Sequence, residues 1–480
     1  LLEGLEVTIL NYSEVLEDNF TYRIDAEFFK KIYLEEERII DKFGFVESKN
    51  SIIVKGGKRL PEGHDFLNKK NGIPYIRAED IKNGFVDYTN SPRISLHTHK
   101  EIHNYQTKYN DVLMTIVGNS VGDIGIVKFN LDICNLTENA VRLVTNGIKP
   151  EYVFIFLLSK FGQHYIERNK VGTAQPKLSI ERIRKIKIPI LSSEFQTKIE
   201  TDVLQSFEKL SQAKATYSAA ETLLLETLGL QDFQAKEQAV NIKSFSETFR
   251  LSGRLDAEYY QEKYDKLMQQ LISKPHKYLC NLAEIKKSIE PGSETYDTSG
   301  LPFIRVSDYD KFQINAPAKY LAHAFCSNNS KLINALKPKK GTILFSKDGT
   351  VGIAHLLTED LDAITSGAIL HLTVKDKCVL PEYLNMVLNS SVVQMQAERD
   401  IGGSIIRHWR VEEISQLVIP IIPMHIQTKI ASLIQQSNCL RLESKTLLEK
   451  AKIAIELAIE KDEKSALDFT REISNEYNAH

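Results

Sequence analysis

Short apolar runs and polar loops follow one another along this chain in an order that occurs twice. Around residue 186 a strand-like IKIPI run gives way to Gln196-Thr197-Lys198-Ile199 and a helical pattern reaching about residue 230; VIPI from Val418 precedes Gln427-Thr428-Lys429-Ile430 and a second such pattern. The two glutamines stand 231 positions apart (427 − 196), which sets the period of the protein. In heptads of one phase, the first pattern places Val203, Leu210, Tyr217 and Leu224 at one position and Ser206, Ala213, Ala220 and Thr227 three residues later. The second places Ile434, Arg441, Leu448 and Ile455, then Ser437, Ser444, Ala451 and Ala458. Large residues alternating with small ones predict two long helices in close contact along their length. The plainer alternative, an ordinary core face on each of two bundle helices, does not require the match between them. At about 35 residues and about 1.5 Å per residue, each helix would span about 50 Å, the length of a stalk or ruler.

The segments before these helices match as well. YRIDAEFF from Tyr22 and GRLDAEYY from Gly253 each open a half; Asp25 and Asp256 read as helix N-caps in preference to catalytic carboxylates. GIPYIRAEDI from Gly72 and GLPFIRVSDY from Gly300 are turns into short strands, with Arg77 and Arg305 placed either to pair with a nearby Asp or to reach a ligand. DVLMTIVGNSVGDIGIV from Asp111 and GTILFSKDGTVGIAHLL from Gly341 each read as strand, polar glycine loop, strand. The loops carry different side chains, Asn119 and Ser120 in one, Lys347 and Thr350 in the other, on what is otherwise one plan. A pair of plain hairpin turns is the alternative. A Pro-started apolar helix follows in each half (KPEYVFIFLLS, LPEYLNMVLNS), then a polar turn. The first turn holds Thr173, Gln175 and Lys177; the second holds Ser404, Arg407, His408, Trp409 and Arg410, a mixture suited to phosphate and base-edge contact, with packing the alternative for Trp409.

Composition narrows the classes. With 480 residues and 42% hydrophobic content the chain can bury several cores, and the repeat favours two halves. No apolar run reaches about 18 residues, and the first ten residues carry Glu3 and Glu6 without a basic leader, which predicts neither a membrane span nor a signal peptide. Cys134, Cys280, Cys326, Cys378 and Cys439 lie far apart and read as buried thiols of a cytoplasmic protein. A formal charge of −2 does not mark a nucleic-acid binder by itself. Cations cluster locally, however: Lys331, Lys337, Lys339, Lys340 and Lys347 in a window without acids, and Arg182, Arg184, Lys185 and Lys187 before the first helix. His97, His99 and His103 lack helical periodicity and carboxylate support, so they read as a solvated loop and not as a metal site. No GxxxxGK[ST] phosphate loop is present, nor an (N/D/S)PP(Y/F) loop for a target amine. The sequence therefore predicts no catalysis, no cofactor and no metal.

A variable α+β domain ending in a polar turn, then IPI, Gln-x-x-Ile and a long helix, all duplicated, resembles the specificity subunit of type I restriction-modification enzymes. The resemblance covers nearly the entire chain. It implies an α+β fold of two target recognition domains in tandem, each followed by a long helix, the helices pairing as an antiparallel coiled coil. The boundaries are then 1–190 and 247–421 for the recognition domains, 191–230 and 422–462 for the helices, 231–246 for a linker and 463–480 for a polar tail. It implies contacts to double-stranded DNA from Asn119, Lys347 and Thr350 on the loops and from Thr173, Gln175, Ser404 and Arg407 on the turns; Ser120, Lys177, Arg410, Arg77 and Arg305 complete the candidate set. It also implies partners: two adenine methyltransferase subunits, with restriction and motor subunits added. The alternatives are the specificity chain of a type IIB-like system and a coiled-coil scaffold without DNA recognition.

Overall fold

The computed structural model describes residues 7–16, 19, 22–67, 71–129, 133–231, 233, 240–401 and 408–478. They divide into two compact units: Leu1–Leu210 with Arg441–His480, and Ser211–Leu440. Of the linker expected at 231–246, residues 232 and 234–239 lie outside the described residues.

After a short helical turn at Tyr12–Leu16, the first unit has α1 (Lys31–Phe43), whose Tyr33, Glu36 and Ile40 recur at helical spacing and are buried. There follow β1 (Phe45–Glu47), β2 (Ile52–Gly56), β3 (Ile73–Ile76), β4 (Arg93–Ile94), α2 (Leu96–Glu101), β5 (Val112–Thr115), β6 (Ile124–Ile126), β7 (Asn135–Leu136) and β8 (Ala140–Thr145). Next come α3 (Pro150–Leu158), α4 (Lys160–Asn169), β9 (Lys187–Pro189) and α5 (Ser193–Leu228). Strands β2-β8-β5-β6 form an antiparallel sheet. Every residue of β5 and β6 is buried, which is why both read as unbroken apolar runs and not as alternation. Helix α3 starts on a proline and buries residues 151–157 without a polar face, because it lies against β5, β6 and β8. A smaller sheet pairs β3 antiparallel with β4 and parallel with β7.

The second unit repeats the plan. Its elements are α6 (Glu262–Ile272), β10 (His276–Tyr278), β11 (Ala283–Lys287), β12 (Leu301–Ile304), β13 (Tyr320–Leu321), α7 (His323–Asn328), β14 (Thr342–Ser346) and β15 (Ala354–Leu356). Then come β16 (Ile364–Thr365), β17 (Ile369–Val374), α8 (Pro381–Asn389), α9 (Ser391–Ile401), β18 (Val418–Pro420) and α10 (Met424–Glu460), whose residues from Arg441 on, like α11 (Glu463–Asn478) after it, belong to the first unit. The sheet order β11-β17-β14-β15 and the parallel β12–β16 pair reproduce the first unit. The fold class is α+β, duplicated in tandem.

The residues that announced the repeat form one knot in each unit. The buried Tyr152 hydroxyl on α3 donates to the Pro189 carbonyl of the IPI strand at 2.9 Å, and Tyr383 on α8 donates to Pro420 at 2.7 Å. The Gln196 side chain donates to the Leu191 carbonyl at 3.0 Å and accepts from the Lys149 N–H ahead of α3 at 3.3 Å. Gln427 does the same with Ile422 at 2.9 Å and Leu380 at 3.0 Å. One amide therefore satisfies backbone groups of two segments that neither helix could satisfy internally. Ile199 and Ile430, three residues on, are fully buried beneath it.

Helices α5 and α10 pack antiparallel within both units through the predicted small positions. Ser206 Oγ lies 2.8 Å from the Ser444 carbonyl and 3.0 Å from its Oγ in the first unit; Ser437 Oγ lies 2.8 Å from the Ala213 carbonyl in the second. Only a side chain as short as Ser or Ala admits a backbone carbonyl at that distance. Ala213, Ala220, Ala451 and Ala458 are fully buried, as are the large residues Val203, Leu224 and Ile455. Lys209 and Glu443 pair at 2.6 Å beside the first-unit seam.

Four expectations are corrected. The segment 463–480, expected as a polar tail, forms α11 over Glu463–Asn478, because Ala466 and Thr470, one turn apart, bury completely and Leu467 and Phe469 pack on the first-unit core. Asp25 and Asp256 do not cap helices: α1 follows Lys30, and each Asp instead holds an Arg, as described below. The histidine segment is not a solvated loop, since α2 is helical behind a Ser95 cap and His99 is buried with Nδ1 2.6 Å from Asn135 Oδ1. Of the five thiols only Cys134 is buried; Cys439 is exposed and the other three are half-buried.

Candidate nucleic-acid interface

In the first unit the loop between β5 and β6 is braced against the turn after α4. The Leu178 N–H donates to the Ile116 carbonyl at 2.9 Å, the Gly118 N–H donates to the Pro176 carbonyl at 2.9 Å, and Val117 forms a bridge with Lys177. The second unit makes the same brace 231 residues on: the Trp409 N–H donates to the Lys347 carbonyl at 2.8 Å, and Asp348 bridges His408. Leu178 and Trp409 plug equivalent places in the two cores, exposed by 2% and 0%. Trp409 is thus a packing residue, edged by Phe345 at 5.9 Å between ring centroids.

The far side of each loop is held by a glutamine that the sequence did not single out. Gln163 on α4 donates to the Gly122 carbonyl at 3.1 Å, and Gln394 on α9 donates to the Gly352 carbonyl at 2.8 Å. Both glycines have positive φ, +98° and +84°, the left-handed region that favours glycine, and a Cβ at Gly352 would fall 2.7 Å from the Gln394 amide nitrogen and displace it. A backbone pinned at both ends presents its tip residues in a fixed geometry.

On those tips the chemistry differs. In the first unit Asn119, Thr173, Gln175 and Lys177 are exposed and Ser120 half-exposed, and the brace brings all five to one place. In the second unit Thr350 is exposed on the loop, His408 is exposed beside that loop through its bridge to Asp348, and Arg410 is exposed two residues further on. There the Lys347 side chain is only 12% exposed and turned onto Asp348, which also holds His408, so the loop neutralises its own acid. Arg410 keeps its Nε 3.0 Å from Glu413 while remaining 65% exposed. Ser404 and Arg407 lie outside the described residues.

Arg77 and Arg305 sit at the ends of β3 and β12. Arg77 clasps Asp80 through two contacts of 3.2 Å; Arg305 Nε is 3.6 Å from Asp308, beyond hydrogen-bond range. Each side chain is still 38–39% exposed. The lysine window is less basic than it reads: Asp362 pairs with Lys337 at 2.6 Å and Asp360 with Lys339 at 3.0 Å, both acids arriving from the segment after β15. Before α5, Arg182 is buried and donates to the Asn169 carbonyl, and Lys187 pairs with Glu37 and Asp41 at 3.0 and 2.8 Å.

The opening motif of each half turns out to support these turns. Arg23 grips Asp25 through two hydrogen bonds of 2.7 and 2.6 Å and donates to the Arg168 carbonyl at 2.7 Å, at the end of α4. Arg254 grips Asp256 at 2.8 and 2.6 Å and donates to the Asp400 carbonyl at 2.6 Å, at the end of α9. The guanidinium beside each holds the Asp25 and Asp256 carboxyls below the usual carboxylate range. Asp400, whose pKa burial raises, closes this network by lying 3.4 Å from Trp409 Nε1. The recurring Arg-x-Asp spacing, with an aromatic three residues beyond the Asp, was the available signal for these clamps.

Two copies of one scaffold, each presenting a rigidly braced but chemically distinct pair of loops, define a tandem recognition-domain protein. Residues 49–217 and 277–454 both match the type I restriction modification DNA specificity domain, and the chain belongs to that family. It is 25% identical over 308 residues to the type I restriction enzyme MjaIX specificity subunit of Methanocaldococcus jannaschii, an alignment spanning 60% of this chain and 62% of that relative. The chain thus spans under two thirds of the relative's length. Among solved structures it is similar to the type I restriction-modification system S subunit from M. genitalium, with 13% identity, 87% of this chain and 94% of that one covered, and a TM-score of 0.38. It is also similar to the HsdS subunit from Thermoanaerobacter tengcongensis, with 15% identity, coverage of 87% and 97%, and a TM-score of 0.27. No helix among the described residues is long and apolar enough to cross a membrane.

Proposed function

We propose that this chain is the DNA-reading subunit of a type I restriction-modification complex, each unit recognising one part of a bipartite site. The observation that supports it most is the same brace carrying different tips: Asn119, Ser120, Thr173, Gln175 and Lys177 in one unit, Thr350, His408 and Arg410 in the other. Amide and hydroxyl groups can read base edges, while Lys177 and Arg410 suit phosphates. Lys347, Arg77 and Arg305, already paired within their units, act on DNA only by exchanging those partners; Ser404 and Arg407 belong to the same second-unit turn. The chain itself carries no methyl transfer. Two adenine methyltransferase subunits supply the reaction, and restriction and motor subunits join that assembly in the cytoplasm. A formal charge of −2 leaves most phosphate neutralisation to those partners.

The test is methylation-site mapping in a complex reconstituted with the modification subunits. Thr173→Ala with Gln175→Ala should alter the sequence required in one part of the site, and Thr350→Ala with Arg410→Ala the other. Simultaneous change in both parts from either pair would refute one unit per part. Methyl transfer by the purified chain alone, given DNA and AdoMet, would refute the non-catalytic assignment.

A further inference from the structure

Away from the loop tips, the first unit gathers three ligand-type side chains: His64, His97 and Glu101 converge with their donor atoms within 4.8 Å of one another. His97 and Glu101 lie one turn apart on α2, four residues being the spacing that puts two side chains on one helix face. His64 comes from the segment between β2 and β3, and its ring stacks on that of His97 with centroids 5.3 Å apart. Glu101 Oε1 is 3.3 Å from His64 Nε2 and 3.4 Å from His97 Nδ1. Those separations are long for a charge-assisted N–H···O bond, which favours about 2.7–2.9 Å. They equal the edge of a tetrahedron whose bonds are about 2.0–2.1 Å long, the length of zinc bonds to histidine nitrogen and carboxylate oxygen.

The hydrogen-bond chain behind His64 points the same way. Ser95 Oγ accepts from the Thr98 N–H at 3.0 Å, and Thr98 Oγ1 is 2.8 Å from Ser95 Oγ and 2.9 Å from His64 Nδ1. With the Thr98 hydroxyl donating to Ser95, its free lone pair accepts from His64 Nδ1–H. That tautomer leaves the Nε2 lone pair facing Glu101, the arrangement in which a second residue fixes a metal-binding imidazole. Thr98 is buried at 2% exposure, whereas His97 and Glu101 are open to solvent, which can supply the remaining coordination position.

The second unit provides an internal comparison. The register Ile73 to Ile94 in β3–β4 matches Leu301 to Leu321 in β12–β13, and α2 corresponds to α7 residue for residue. There Ala324 and Asn328 stand where the first unit has His97 and Glu101, and Phe325 where it has Thr98. The scaffold folds without the triad, so its presence is not a requirement of the fold.

We propose that His64 Nε2, His97 Nδ1 and the Glu101 carboxylate bind one divalent transition-metal ion of the zinc type, stapling the segment before β3 onto α2. The test uses the full chain, freed of metal with a chelator and titrated with Zn2+ at pH 7.5 against a chromophoric indicator, and separately with Co2+ followed by visible absorption. One equivalent is expected, with affinity at least tenfold weaker in His64→Ala, His97→Ala and Glu101→Gln, and about tenfold weaker in Thr98→Val, where only the orienting bond is lost. Cys439→Ser, which removes the exposed thiol, should leave the titration unchanged. Zn2+ should also slow amide hydrogen exchange in residues 58–67 of the parent chain and not of His64→Ala, with circular dichroism confirming that each variant is folded. No equivalent bound at micromolar Zn2+, or binding equal in the parent chain and the folded histidine variants, would overturn the proposal.

Discussion

His371 makes the second unit sensitive to acid, and the size of the effect follows from its burial. The imidazole lies on β17 at 5% exposure, with Nε2 2.8 Å from Thr365 Oγ1. Burial, with Lys286 opposite it on β11, pushes its pKa down from 6.5 to about 4. Between those values the unfolded chain takes up a proton that the folded unit excludes. The stabilisation is therefore complete above pH 6.5 and is lost as pH falls toward 4. The fall from 6.5 to about 4 corresponds to about 3 kcal/mol in full and about 2 kcal/mol by pH 5. The chain has a single tryptophan, Trp409, fully buried in this unit, so its fluorescence follows urea unfolding of the second unit alone. His371→Gln keeps a partner for Thr365 and cannot titrate. Between pH 7.5 and 5 the parent midpoint should drop by about 1 M urea more than that of the variant, at a slope of about 2 kcal/mol per M. His355, also lowered by burial, adds to the acid loss, and Asp400, raised by burial, opposes it. Both are present in either protein and cancel in the comparison. Equal midpoint shifts in the two proteins would refute the reasoning.

The same fluorescence assay should show Tyr383→Phe destabilised by about 1 kcal/mol at neutral pH, since the Pro420 carbonyl loses its buried donor. Arg254→Ala should cost about 1 kcal/mol by that readout, its ion pair with the half-exposed Asp256 being screened by solvent. In the reconstituted complex, methylation mapping of the same variant should show weakened recognition of one part of the site only. Ser206→Leu places a branched side chain where a backbone carbonyl lies 2.8 Å away, so calorimetry should show a loss of about 1–3 kcal/mol, or several degrees in Tm; an unchanged Tm would mean the seam is looser than its hydrogen bonds indicate.

Whatever depended on periodicity was legible in the sequence. The heptads located Ser206, Ala213, Ser437 and Ser444 at a helix seam, and the 231-residue period aligned Tyr152 with Tyr383 and Gln196 with Gln427 before either bond was visible. Partnerships that cross the chain were not legible. Lys337 meets Asp362, and Arg254 reaches the Asp400 carbonyl 146 residues away; no local window contains both members. The lysine window looked uncompensated for that reason, and Asp256 looked like a cap because helix propensity is local whereas an ion pair is not. His99 was misread because three histidines in seven residues lack an apolar stripe, yet a buried Asn135 on β7 gives one of them a place in the interior. Within the candidate site, sequence reasoning found the loop tips and missed the residues that brace them. Gln163 and Gln394 are ordinary helix residues until the glycine carbonyls they hold are seen.

The first unit is assembled from two stretches with residues 211–440 between them, and this gives synthesis an order. Residues 211–440 complete the second unit before Leu448, Ala451, Ile455 and Ala466, which close the first-unit core, have been made. The apolar face of Ile199 and Val203 is thus translated roughly 240 residues ahead of the residues that cover it, about 12–50 seconds at about 5–20 residues per second. A ribosome that stops near residue 440 therefore leaves the later unit finished and the earlier one open. Damage beyond residue 440 is felt by the domain whose genetic address lies before residue 211.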